Sequence, residues 1–141
     1  MFQESKVFIN FATKDLARAR AFYTEIGCTI NEHFSDANAI SVVLNEHIYL
    51  MILVEDFFKT FIKTEIADAK TTTEALVALS LPSKEAVDEL FAKVLAAGGS
   101  EVREARDLGF MYSHDFTDPD GHIFEPFWMD PKAASGEMAV N

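Results

Sequence analysis

Apolar positions along the chain switch between two periods. KVFINFA, from Lys6 to Ala12, is a short apolar run of strand length. Asp15 opens LARARAFYTEIG, in which Leu16, Ala19, Phe22, Tyr23 and Ile26 recur at helical spacing and Gly27 supplies the stop. CTINEHF, AISVVL and HIYLMILV follow as three strand candidates separated by polar turns. The order then repeats. EALVALSL reads as a strand, Ser83 as the cap of a helix with Glu85 and Glu89 early in it, and EAVDELFAKVLAAGG ends on paired glycines. SEVREAR, GFMYSHDF and HIFEPFW complete the second series of strands.

Each half thus reads strand, helix, strand, strand, strand, and the ends echo: HIYL, His47 to Leu50, matches HIFE, His122 to Glu125. The pattern predicts one domain over residues 1–130, built from modules at about 5–54 and 73–129. Between them EDFFKTFIKTEIADAKTTT places Phe57, Phe58, Phe61 and Ile62 on a helical stripe, which predicts a linker helix over 55–72. That helix would cover the core or, in a sharper reading, form a lid over a ligand site. Residues 131–141, small, polar and broken by Pro131, read as a flexible tail.

Composition narrows the function classes. Twelve basic residues stand against 23 acidic ones, a formal charge of −11, which disfavours nucleic acid and anionic membrane as partners. The N-terminus MFQESKVF lacks a signal-peptide pattern and no apolar run approaches bilayer length, so the expected location is cytoplasmic. The one cysteine, Cys28, has no CxxC neighbour and reads as a packing residue. Thirteen phenylalanines predict an aromatic-rich interior or pocket. No Walker loop, dinucleotide fingerprint or GxSxG elbow is present.

A duplicated βαβββ unit with KDLARARAFYTEIG near its start and DPDGHIFE near its end resembles the glyoxalase, bleomycin-resistance and extradiol-dioxygenase superfamily, also called vicinal oxygen chelate proteins. GFMYSHDFTDPDGHIFEPFWMD looks most like a branch labelled predicted lactoylglutathione lyase. The resemblance covers about Lys6 to Trp128. It implies an α+β fold in which duplicated βαβββ modules form a cup-shaped mixed sheet with helices outside. It also implies a homodimer. Metal-using members hold a divalent ion with ligands on the first and last strands of each half. Carried across, those positions are Phe8, Leu50, Ala75 and Glu125. Only Glu125 has a donor atom, so no metal and no cofactor is expected.

DPDG has the form of a type I turn, and two hairpin registers follow from it. A bulge at the glycine pairs Asp118 with His122 and sets Asp115 opposite Glu125; Met111, Ser113 and Thr117 then share their face, and Tyr112, His114 and Phe116 take the other. A plain two-residue turn sets His114 against Glu125 instead. The bulge is favoured. It makes Glu125 and Asp115 the candidates for acid–base chemistry, since facing carboxylates raise the proton affinity of one of them. Phe8, Asn10, Leu50, Ala75, Met111, Ser113 and His114 are the candidate ligand pocket. His33, His47 and His122 read as surface or turn residues.

The leading functional reading is a cup binding a small organic molecule without the usual metal, with neutral or cationic ligands favoured by the charge balance. The alternative is a metal-dependent lyase, lactoylglutathione lyase-like, or a dioxygenase using Glu125. A third is a fold kept for assembly, its pocket vestigial. Whether the protein is an enzyme stays open at this stage.

Overall fold

The structure is a computed structural model and describes residues 1–136. The chain divides into two compact units, the first Met1–Thr72, the second beginning at Thr73. The fold is α+β, with four helices and two mixed sheets, one in each unit, among the described residues.

The first unit runs β1 (Val7–Thr13), α1 (Leu16–Glu25), β2 (Thr29–Ile30), a 3₁₀ turn (Glu32–Phe34), β3 (Ala39–Val43), β4 (Ile48–Val54) and α2 (Glu55–Lys59). Its sheet has the order β1-β4-β3-β2, with β1 parallel to β4 and the other pairs antiparallel. At the β1–α1 junction the Thr13 hydroxyl accepts from the Asp15 N–H, and the Asp15 carboxylate accepts from the Arg18 N–H at 3.0 Å. Asp15 therefore satisfies an orphan donor of the first turn. Alternation along β3 and β4 puts Ile40, Val42, Leu50 and Ile52 on one face, all fully buried. Burying each such side chain contributes about 1.5–3 kcal/mol. Helix α1 packs over these two strands and buries Ala19, Phe22 and Tyr23.

The second unit runs β5 (Leu76–Ser80), α3 (Lys84–Ala96), β6 (Ser100–Glu101), β7 (Arg106–Asp107), β8 (Met111–Ser113), β9 (Phe116–Thr117), β10 (Ile123–Met129) and α4 (Pro131–Ala134). Strand β10 is parallel to β5 on one side and antiparallel to β8 and β9 on the other. β7 and β6 flank those two in turn. This is the first unit's order again, with its second and third strands each broken into two. Ser83 caps α3 by accepting from the Ala86 N–H at 3.0 Å, and Val87, Phe91 and Val94 form its buried stripe.

Several expectations from the sequence are corrected. The linker helix over 55–72 reduces to Glu55–Lys59; beyond it Asp68 organises a turn instead, its carboxylate taking the Lys70 N–H and its carbonyl the Thr71 and Thr72 N–H groups. CTINEHF is a strand only at Thr29–Ile30, because the Asn31 side chain accepts from the His33 N–H and turns the chain into the 3₁₀ segment. The tail from 131 begins with one helical turn capped by Asp130; its residues 137–141 lie outside the described ones. The phenylalanines are not all interior: Phe22, Phe91, Phe116 and Phe124 are buried, whereas Phe2, Phe8, Phe34 and Phe61 are exposed. No helix among the described residues is long and apolar enough to cross a membrane.

The DPDG turn takes the bulge register. Asp118 N–H donates to the His122 carbonyl and Gly121 N–H to the Asp118 carbonyl, both at 3.0 Å. The buried Asp118 carboxylate accepts from the Asp120 and His122 N–H groups. Gly121 sits at φ 101°, where a Cβ is strained. Replacing Gly121 with Ala should lower unfolding free energy by about 1–2 kcal/mol, read as a shift in the urea midpoint.

Over α3 the outer face of the second sheet carries a polar staple. Tyr112 Oη donates to Asp88 Oδ1 at 2.6 Å, and Lys84 Nζ lies 3.3 Å from Asp107 and above the Tyr112 and Trp128 rings. The hydrogen bond to Asp88 holds the Tyr112 phenol protonated, pushed up from 10.0 to about 12. A raised folded-state value stabilises the fold below pH 10 and loses that contribution as pH climbs toward 12. In a tyrosinate absorbance titration, Asp88→Ala should bring one tyrosine midpoint down toward 10 while the native protein keeps it near 12.

Candidate functional site

Strand β10 carries the most informative side chains. Its alternation sends Phe124, Pro126 and Trp128 to the α3 face, and Ile123, Glu125, Phe127 and Met129 to the opposite one. Phe124 and Pro126 are buried, while Glu125 keeps a 26% exposed side chain. Ser113 lies opposite Phe127 and Met111 opposite Met129, so both share the Glu125 face. On the parallel side Ala78 lies level with Glu125, and Leu76 two residues before it.

Residue pairing runs without slippage through the break between β8 and β9, which places Asp115 across from Glu125. Asp115 is only 3% exposed. Two facing carboxylates of which one is buried demand a counter-charge, and the structure supplies one that sequence reasoning missed. Arg103 Nε and Nη2 each lie 3.0 Å from Asp115 Oδ2, a two-pronged contact, and Nη2 lies 4.0 Å from Glu125 Oε2. Asp115 Oδ1 is buried and accepts no hydrogen bond.

Arg103 reaches this position through a distortion of the sheet. β6 pairs Glu101 with Phe116, and β7 pairs Arg106 with Ser113. Four residues, 102–105, therefore lie opposite two, His114 and Asp115, and the surplus is thrown out as a wide bulge. The Val102 N–H still bonds to the Asp115 carbonyl, so Arg103 is pinned one residue beyond that bond. VREA contains no glycine or proline to announce the break. SEVREAR, expected as one strand, is thus two short ones.

His114, proposed for the pocket, faces away from Glu125. Its ring stacks on Phe91 of α3 at 3.4 Å between centroids, and Nε2 lies 2.7 Å from Glu101 Oε2. The bulge register decides this, because it gives His114 the parity of Tyr112 and Phe116.

The positions carried across from the resemblance shift as well. In the first unit Leu44 N–H donates to the Ile48 carbonyl, as Asp118 N–H does to His122 in the second. Ile48 therefore corresponds to His122, and counting three on, Met51 corresponds to Glu125. The HIYL and HIFE echo is one residue out of phase. Leu50 is corrected accordingly: it is fully buried on the α1 face and lines nothing open. Phe8 stands two residues before Asn10, the β1 partner of Met51, just as Leu76 stands two before Ala78, the partner of Glu125. Ala75 lies ahead of β5 and gives its place to Leu76. The corresponding set is Phe8, Met51, Leu76 and Glu125.

Phe8 is half exposed and stacks on Tyr49, centroids 4.7 Å apart, with Lys6 Nζ 5.7 Å from the Tyr49 centroid. Tyr49 therefore lies on the Met51 face. Asn10 is exposed on that face and donates its amide to the Phe8 carbonyl. Cys28 is desolvated, which pushes its thiol up to about 11 and leaves little thiolate at neutral pH. Asp118, Asp120 and His122 bring three donor atoms within 4.8 Å of one another. There the Asp118 carboxylate already binds the turn's N–H groups.

Residues 7–125 match the family model described as Glyoxalase/Bleomycin resistance protein/Dioxygenase superfamily. No curated protein matches the chain. Among solved structures, the hypothetical protein SA1046 from S. aureus superposes with TM-score 0.76 at 24% identity, covering 91% of this chain and 94% of its own. A glyoxalase/bleomycin resistance protein/dioxygenase family enzyme from Burkholderia phytofirmans PsJN gives 0.71 at 19%, covering 86% and 96%. The fosfomycin resistance protein FosX from Mesorhizobium loti gives 0.67 at 15%, covering 94% and 98%. With the repeated strand order and the DPDGHIFE hairpin in place, the family match settles the lineage: the chain belongs to the glyoxalase/bleomycin resistance protein/dioxygenase superfamily.

Proposed function

We propose that this protein binds a small organic molecule on the Glu125 face of its second sheet, and that it does so without a divalent metal. The observation that carries the reading is the donor set. Of the corresponding positions Phe8, Met51, Leu76 and Glu125, only Glu125 offers an oxygen; Met51 offers at most a thioether. A hard divalent ion needs several oxygen or nitrogen ligands in defined geometry, and these residues do not fit one. The family's description joins resistance proteins with dioxygenases, so membership alone does not choose between binding and catalysis. A metal-dependent lyase or dioxygenase is favoured by the carboxylate at Glu125, and Asp118, Asp120 and His122 form a separate group of donors at the hairpin turn.

The face suits binding. Ile123, Phe127 and Leu76 give apolar area around a few convergent polar groups, the usual make-up of a ligand site. Arg103, 48% exposed at its side chain, makes no hydrogen bond or ion pair through Nη1 among the described residues and keeps that edge as a donor. Glu125 presents an acceptor beside it. Arg103, Asp115 and Glu125 together carry a formal charge of −1, and the chain −11, which favours neutral or cationic molecules.

A thermal-shift screen of neutral and cationic organic molecules should return ligands whose affinity falls at least about tenfold in Glu125→Gln and in Phe127→Ala. Hits insensitive to both changes would remove the proposed face.

A further inference from the structure

The family resemblance implies a cation beside Glu125, and the protein already has one of its own. We propose that Arg103 is the resident cation of this site: its tethered guanidinium occupies the place next to Glu125 in which a divalent ion would otherwise be held, and so makes the site metal-independent. The assignment rests on the metal-free reading given above and explains how the superfamily's carboxylate can be kept without its ion.

Three observations converge on it. Arg103 Nη2 stands 4.0 Å from Glu125 Oε2 while the guanidinium grips Asp115 Oδ2 at 3.0 Å, so the positive charge is fixed between the carboxylates. A divalent ion binding Glu125 would have to sit against it. Second, the wide bulge at 102–105 exists where it delivers Arg103, and no other side chain of those four residues makes a hydrogen bond or ion pair to the Glu125 face among the described residues. Third, Asp115 is 3% exposed and its Oδ1 accepts no hydrogen bond. With Arg103 removed, that oxygen, its partner Oδ2 and Glu125 would leave two facing carboxylates with no counter-charge, which is a donor set for a hard cation.

The test is calorimetric titration of MnCl2, NiCl2 and ZnCl2 into native protein and into Arg103→Ser, Arg103→Gln, Arg103→Lys and the double variants Arg103→Gln/Glu125→Gln and Arg103→Gln/Asp115→Asn. Circular dichroism confirms that each is folded. Arg103→Gln keeps an N–H donor toward Asp115 and guards against Arg103→Ser failing to fold. The expected result is no saturable uptake by the native protein or by Arg103→Lys. Arg103→Gln and Arg103→Ser should take up one ion with affinity at least about tenfold above native, and both double variants should lose it. If folded Arg103→Gln takes up nothing while the native protein also takes up nothing, the Arg103 assignment falls and the metal-free reading survives. If the native protein takes up an ion that Glu125→Gln abolishes, the metal-free reading falls with it. A gain that survives in the double variants places the ion elsewhere and overturns the assignment.

Discussion

A buried carboxylate facing a second one across a strand pair has to be neutralised, and in this protein a single arginine does it. Asp115 lies almost fully out of solvent, directly across from Glu125. Without a counter-charge, burying Asp115 would cost several kcal/mol. Arg103 meets the demand with two N–H contacts to one oxygen and a longer reach to Glu125. The sheet accommodates it by ejecting residues 102–105 as a bulge, giving up ladder bonds there. The DPDG hairpin register, the break between β8 and β9 and the placement of Arg103 are three parts of one arrangement.

The two units show how one strand order can carry different chemistry. Both pair a first strand in parallel with a last one and pack a helix over one buried face, apolar in the first unit and carrying Tyr112 and His114 among its apolar side chains in the second. In the first unit the opposite face presents Phe8, Tyr49, Asn10 and Met51, an aromatic and weakly polar surface. In the second, the corresponding surface holds a charged triad. The buried faces are alike because packing permits few alternatives. The open faces diverge because nothing in the fold's stability dictates them, which leaves them free to carry different chemistry.

Membership in a superfamily does not by itself decide what a site holds. What a site can hold follows from donor atoms and local charge. Here three of four corresponding strand positions are hydrocarbon or thioether, and the fourth is already engaged by a guanidinium. Histidine, the side chain most often met in metal and acid–base sites, is turned away: His114 is occupied by Phe91 and Glu101 on the helix side.

The repeated succession of strand and helix periods, the caps at Asp15 and Ser83, the DPDG turn and the placement of Asp115 across from Glu125 are all local in origin. They depend on side-chain period and on turn geometry over a few neighbouring residues, which a single chain displays openly. The phase of the HIYL echo was not legible, because an offset of one residue between two similar strings exchanges the faces of every side chain compared; the Leu44–Ile48 bond reveals that Met51, and not Leu50, answers Glu125. The bulge that carries Arg103 was not legible either. VREA has no turn residue, and its expulsion is set by the pairing of β6 and β7 with their neighbours on either side. A charge 12 residues from Asp115 becomes its partner through that long-range pairing, so the strands alone were local and the centre of the site was decided by tertiary structure.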